Sequence, residues 1–188
     1  MKGTILTAIC ILMAVSATAQ KQVNTAEAQA AALVKKMTLE EKVGQMTQVT
    51  MAVFAKGGWA NEDGTLDPVA LKKTVVDYKV GSLLNTTAHA LPVEKWRSIM
   101  TQIQDEVKNT RLKIPVIYGL DAIHGQTYTL NSTLFPQNIA MAATRNPELV
   151  RQAAKVTAME LRSSGVRWNF APVLDIGRQP LWSRFPET

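Results

Sequence analysis

Two periodicities alternate along this chain. Thr38, with Glu41 three residues later, forms a capping box, and Leu39, Val43 and Met46 then recur at spacings of four and three, so a helix with one apolar face is expected here. An Ala-rich helical stretch precedes it from Thr25 to Lys36. The run Gly57 to Gly64 (GGWANEDG) reads as a loop, after which Asp67 caps and Pro68 opens a helix to about Tyr78. Short runs that are apolar throughout then appear between helices. Val80–Leu84 reads as a strand. Pro92–Arg111 reads as a helix with Trp96, Met100, Ile103 and Val107 at helical spacing. Ile114–Leu120 is β-branched and apolar, hence a second strand. Asn146, Pro147 and Glu148 supply an N-cap, a first-turn proline and a dipole-matched acid for a helix ending at Ser164–Gly165. Val166–Val173 is a third strand.

Strands that are apolar along their whole length and separated by helices predict a buried parallel sheet, an α/β fold. Ligands of such sheets bind beyond the carboxyl ends of the strands. Those ends hold Asn85-Thr86-Thr87, Asp121 to Tyr128, and Asp175 to Thr188. No internal repeat and no low-complexity linker interrupts the pattern.

The first residues break it. Lys2, the apolar stretch Ile5–Val15 and the small residues Ala17-Thr18-Ala19 read as a secretory signal peptide over residues 1–19, too short for a membrane anchor. Cys10 lies inside it and follows Ile9, which does not suit a lipoprotein signal. With cleavage after Ala19 the mature chain begins at Gln20 and has no cysteine, so neither a disulfide framework nor thiol chemistry is expected. The net charge of +6 on 188 residues comes from scattered cations such as Lys35-Lys36, Lys72-Lys73, Arg111 and Arg178. A nucleic-acid binder would show a basic stripe with interleaved aromatics, and none is present.

Asp121 leaves an apolar strand directly, so its carboxylate faces the mouth of the sheet or requires partners. It is either a ligand-binding group or a turn carboxylate holding the backbone N–H groups of Asp121–Gly125. His124, with Asp121, Asp175 and His89, would make a mixed metal set, but two histidines and no cysteine are a thin basis. His124 is expected instead to be a hydrogen-bonded histidine beneath the site, with no metal. The final stretch from Asp175 carries Arg178, Trp182 and Arg184. The arginines suit bidentate contacts to hydroxyls or carboxylates, and Trp182 suits a sugar face or a wedge under the loop. No G-x-G-x-x-G follows a strand and no G-x-x-x-x-G-K is present, so nucleotide binding is not expected. Asn85-Thr86-Thr87 and Asn131-Ser132-Thr133 fit the glycosylation pattern by coincidence.

MTLEEKVGQM (37–46), IPVIYGLDAIHG (114–125), TLFPQNIAMAATRNPELV (133–150) and WNFAPVLDIGRQPLWSR (168–184) resemble, in order and spacing, the start of glycoside hydrolase family 3. The turn Asp121-Ala-Ile-His-Gly125 is similar to that of its β-glucosidase and glucan exo-hydrolase branch. The resemblance implies the N-terminal part of a (β/α)8 TIM-like barrel over residues 20–188, incomplete at roughly three of its eight strand–helix units. It implies a secreted or periplasmic retaining β-glucosidase, acting without cofactor on terminal β-linked glucose of gluco-oligosaccharides or β-glucosides. Asp121 and Arg184 would bind the terminal sugar, with Asp175, His124 and Trp182 in support. Ser183 stands where the family has glycine, and Leu181 where it commonly has arginine, so no second arginine contact is expected. The nucleophilic aspartate and the acid/base glutamate would lie beyond Thr188, leaving this stretch inactive alone. A β-xylosidase or related exo-β-glycosidase is the alternative within the family. Outside it stand a non-catalytic sugar-binding envelope protein and a metal-dependent barrel hydrolase.

Overall fold

A computed structural model describes residues 25–86 and 89–185; the expected signal peptide, Thr87 and Thr188 lie outside the described residues. The chain divides into two compact units, Met1–Lys42 and Val43–Thr188. In the first, a helix over residues 25–36 (α1) is followed by the expected capping box. Thr38 N–H donates to Glu41 Oε2 at 2.9 Å and Glu41 N–H to Thr38 Oγ1 at 3.2 Å. This satisfies the first donors of α2, Leu39–Met46.

The apolar stripe of α2 does not face inward. Leu39, Val43 and Met46 are all exposed, whereas Glu41 and Gly44 are buried. Within the second unit the reason is steric. The Gly44 carbonyl accepts the Gly81 N–H at 2.9 Å, and a Cβ on Gly44 would lie 2.4 Å from the Tyr78 carbonyl oxygen, so only a residue without a side chain fits. The glycine, not the apolar spacing, selects the inward side there.

Four parallel strands follow in chain order: β1 (Gln48–Thr50), β2 (Ser82–Leu84), β3 (Ile117–Leu120) and β4 (Trp168–Asn169). Each pairs with its predecessor, with Thr50, Leu84 and Gly119 level across the first three. That winding is the opening of a barrel. There is one strand more than the apolar runs predict, because β1 reads Gln-Val-Thr and is only partly buried. The other strands are shorter than their runs. Pro115 has no N–H to donate, so β3 starts at Ile117, and Val116 offers its carbonyl to Gln104 Nε2 at 2.8 Å instead.

The connecting helices are α3 (Pro68–Lys72, continued by a widened π-type turn to Asp77), α4 (Val93–Val107), α5 (Asn138–Ala143) and α6 (Pro147–Ser163). Trp96, Ile99, Ile103 and Val107 of α4 are buried against Leu83, Tyr118 and Leu120 of the sheet within one core. Trp96 meets the Tyr118 ring edge-on at 5.7 Å between centroids. Arg97 Nε donates to the Ser163 carbonyl at 2.7 Å, tying α4 to the end of α6.

The caps read from the sequence form as drawn. Asp67 Oδ1 accepts from Val69 and Ala70, and Asn146 Oδ1 from Glu148 and Leu149. Replacing Asn146 by alanine is expected to cost about 1 kcal/mol, seen as a lower urea midpoint with an unchanged slope. An unmoved midpoint would mean that Pro147 alone sets the start of α6.

Candidate functional site

The carboxyl end of β3 delivers Asp121, half-buried, beyond the last paired residue. Its turn does not use its carboxylate. The Ala122 N–H goes to Asn169 Oδ1 at 3.0 Å, and the Ile123 N–H goes to the Asp121 carbonyl at 2.9 Å. Asp121 makes no side-chain hydrogen bond or ion pair among the described residues. Of the two roles open in the sequence, the turn carboxylate is therefore not the one adopted. A partly buried carboxylate with its lone pairs unengaged is a ready acceptor for ligand hydroxyls.

Asn169 is what frees it. From the end of β4 its amide takes both sides of the Ala122 peptide: Oδ1 accepts the N–H, and Nδ2 donates to the Ala122 carbonyl at 3.1 Å. Ala122 is 1% exposed, so these two groups have no water to fall back on. Asn169 carries no assignment from the sequence, although an amide inside an apolar strand was a signal that could have found it.

Beyond the turn the chain is tied down at several points. Gly125 has φ +113°, and a Cβ there would lie 2.1 Å from the Thr133 carbonyl oxygen. His124 Nδ1 lies 3.1 Å from the Phe135 carbonyl, which requires the hydrogen on Nδ1, and the Phe135 N–H donates back to the His124 carbonyl at 2.8 Å. Glu160 of α6 accepts from both the N–H and the hydroxyl of Thr133. His124 is thus one of the ties that hold the loop after β3.

The loop after β2 runs alongside. Leu91 donates to the Tyr128 carbonyl and accepts from the Leu130 N–H, and Trp96 Nε1 also donates to the Tyr128 carbonyl at 2.8 Å. The Tyr118 hydroxyl donates to the Asn85 carbonyl, and burial pushes its pKa far above the ordinary phenol value. Burial first, and then the Asp121 charge, also raise the Tyr128 phenol. Among the described residues, Asn85 Oδ1, Thr86 Oγ1 and Gln126 Oε1 are buried without partners, giving this end of the sheet a polar character.

The remaining sequence-named residues are not joined to Asp121. Asp175 and Arg184 are exposed and Trp182 is half-buried, the last in a turn where its N–H donates to the Gln179 carbonyl. His89 lies 3.9 Å from Glu62, both exposed. Among the described residues no three His, Cys, Asp or Glu side chains gather as a metal site, and no helix is long and apolar enough to cross a membrane. A cavity of about 540 Å³ lies between the loop after β3 and α6. Phe135, Met141, Val150, Ala154 and Pro172 line it, with His124 and Asn169 on one wall. Asp121 is not part of that lining, although the two residues after it, Ala122 and Ile123, are.

The profile of the glycosyl hydrolase family 3 N-terminal domain matches residues 38–188. The chain belongs to this family. Its similarity to the lysosomal beta glucosidase of Dictyostelium discoideum is 38% identity over 165 residues, 83% of this chain and 20% of the relative. To the periplasmic beta-glucosidase of Salmonella typhimurium it is 32% over 157 residues, 82% and 17%. Among solved structures, the Listeria innocua beta-glucosidase in complex with glucose superposes with a TM-score of 0.62 at 28% identity, covering 85% of this chain and 21% of that one. A beta-glucosidase involved in saponin metabolism from intestinal bacteria gives 0.57 at 37%, covering 84% and 18%. The chain spans about a fifth of the length of these relatives. The four-stranded parallel sheet thus corresponds to part of the family's barrel.

Proposed function

We propose that residues 20–188 are the sugar-holding opening segment of the barrel of a retaining exo-β-glucosidase that removes terminal β-linked glucose from oligosaccharides or β-glucosides. One observation carries this reading: Asp121 stands unspent at the carboxyl end of a parallel strand in a family 3 chain. In this role its carboxylate accepts hydroxyls of the terminal sugar, and Arg184 binds the same ring. His124 holds the loop, while Trp182 and Asp175 support the segment after β4. Retention requires two carboxyl groups about 5–5.5 Å apart, one as nucleophile and one as acid/base. We assign both to parts of the enzyme outside residues 1–188, and no cofactor takes part. We read residues 1–19 as an export signal, which the periplasmic relatives support, and place the enzyme in the periplasm or outside the cell.

The β-xylosidase of Formosa agariphila, 35% identical over 105 residues, keeps a xylosidase reading as the second choice. The test compares aryl β-glucoside with aryl β-xyloside. The full-length protein is expected to turn over the glucoside faster, and the 188-residue chain to turn over neither above background. Faster xyloside turnover would favour the second reading. Turnover by the 188-residue chain that disappears in Asp121→Ala would show that the catalytic carboxylates were misassigned.

A further inference from the structure

We propose that Asn169 is a positioning residue for Asp121: its side-chain amide sets the direction in which the carboxylate leaves the strand end, and so its grip on the terminal sugar. The inference rests on the sugar-binding role given to Asp121 above, and it starts from where the sheet stops. The β3–β4 ladder closes on Leu120 opposite Asn169, one residue short of Asp121. A residue just past the last paired position is not aimed by the ladder. Its side chain points where the two rigid peptide planes flanking its Cα send it.

Both planes are pinned, and by consecutive residues of one segment. On the near side, the Leu120 carbonyl accepts the Phe170 N–H at 2.9 Å. On the far side, Asn169 Oδ1 takes the Ala122 N–H at 3.0 Å, while the Asp121 carbonyl of the same plane accepts from Ile123. Asn169 Nδ2 then holds the Ala122 carbonyl at 3.1 Å, which fixes the next plane as well. The amide thus supplies rungs beyond the end of the strand. Phe170 is itself seated on β3, its ring edge-on to Trp168 and lying where a Cβ on Gly119 would clash with it. Ala122, Ile123 and Asn169 also line the cavity of about 540 Å³, so a turn released by the amide has space to shift. A displacement of about 1 Å in a binding group costs up to about 10²-fold in rate.

The test uses the full-length protein with an aryl β-glucoside, assayed well below the melting temperature of each variant. Asn169→Ala is expected to lower kcat/KM by about ten- to hundredfold, although Asn169 itself is given no contact with the sugar. A double-mutant cycle separates aiming the carboxylate from holding the fold. In an Asp121→Asn background, with no carboxylate left to aim, adding Asn169→Ala should change kcat/KM by less than about threefold. If the alanine variant does not fold, Asn169→Gln takes its place in the cycle. It keeps donor and acceptor on a stem one methylene longer, so it should restore folding while still lowering kcat/KM by about fivefold or more. Wild-type kcat/KM in the folded variant, or the same loss with and without the Asp121 carboxylate, would overturn this inference and leave the Asp121 reading intact. If Asp121→Asn itself leaves turnover unchanged, the Asp121 reading falls and this inference with it.

Discussion

Asp121→Asn, made in the full-length protein, is expected to lower kcat/KM on an aryl β-glucoside by about 10²- to 10⁴-fold while leaving the melting temperature unchanged. The size follows from the bonds lost. Each hydrogen bond from a sugar hydroxyl to a charged acceptor contributes about 1.5–3 kcal/mol, and a carboxylate facing an open strand end has room for two. Asparagine keeps the shape but turns one acceptor oxygen into a donor, so a hydroxyl that donated there meets an N–H. The unchanged stability follows from the fold. The turn after β3 sends its Ala122 N–H to Asn169 and its Ile123 N–H to the Asp121 main chain, and no described residue leans on the carboxylate. Kinetics and thermal melting of one preparation check both halves. Near-wild-type turnover would remove Asp121 from the sugar site, and a large drop in melting temperature would recast it as a structural carboxylate.

How far the chain announced this arrangement differs from element to element. The helices declared themselves through their ends: Thr38 with Glu41, Asp67 with Pro68, and Asn146 with Pro147 all cap where the sequence puts them. Capping is local chemistry, settled within four residues, so it survives folding unchanged. β2 and β3 showed as apolar runs, and the core takes Leu83 of the one and Tyr118 and Leu120 of the other, although Ile117 at the start of β3 is exposed. β1 did not, since Gln48 is exposed, Val49 and Thr50 are half-buried, and the three carry no apolar run. The inward side of α2 was also hidden. Spacing favoured Leu39, Val43 and Met46, but Gly44 is placed by a backbone approach, and periodicity does not register a missing side chain.

The candidate site divides in the same way. The place of Asp121 at the exit of β3 was legible because a carboxylate directly after an apolar run is anomalous in its own neighbourhood. The ties made by Tyr128 and Asn169 were not, because their partners are distant in sequence. Tyr128 is held by Trp96, 32 residues away, and Asn169 holds Ala122, 47 residues away. The placement of Asp175, Trp182 and Arg184 shows the converse: chemically suggestive side chains close together in sequence, none bonded to Asp121.

Asn169→Ala is expected to be the most damaging single change to the fold around this site. It strips partners from both the N–H and the carbonyl of Ala122 at once. An unsatisfied buried polar group costs about 1–3 kcal/mol, so the two together should cost roughly 2–5 kcal/mol. That is a large share of the 5–15 kcal/mol that typically holds a domain together. Chemical denaturation of the wild type and the variant measures it, and a loss under about 1 kcal/mol would show that Ala122 finds other partners. Asn169→Asp separates the two bonds. Its carboxylate can still accept the Ala122 N–H, but it sets a second oxygen against the Ala122 carbonyl. Protonation restores a donor there, so the folded state holds that proton more tightly than the unfolded chain and the variant carboxyl's pKa is raised in the fold. Its stability should therefore be closest to wild type at low pH, falling behind as pH rises through the raised folded pKa. A deficit that stays constant across that range would mean the Ala122 carbonyl does not depend on the Asn169 amide for its partner.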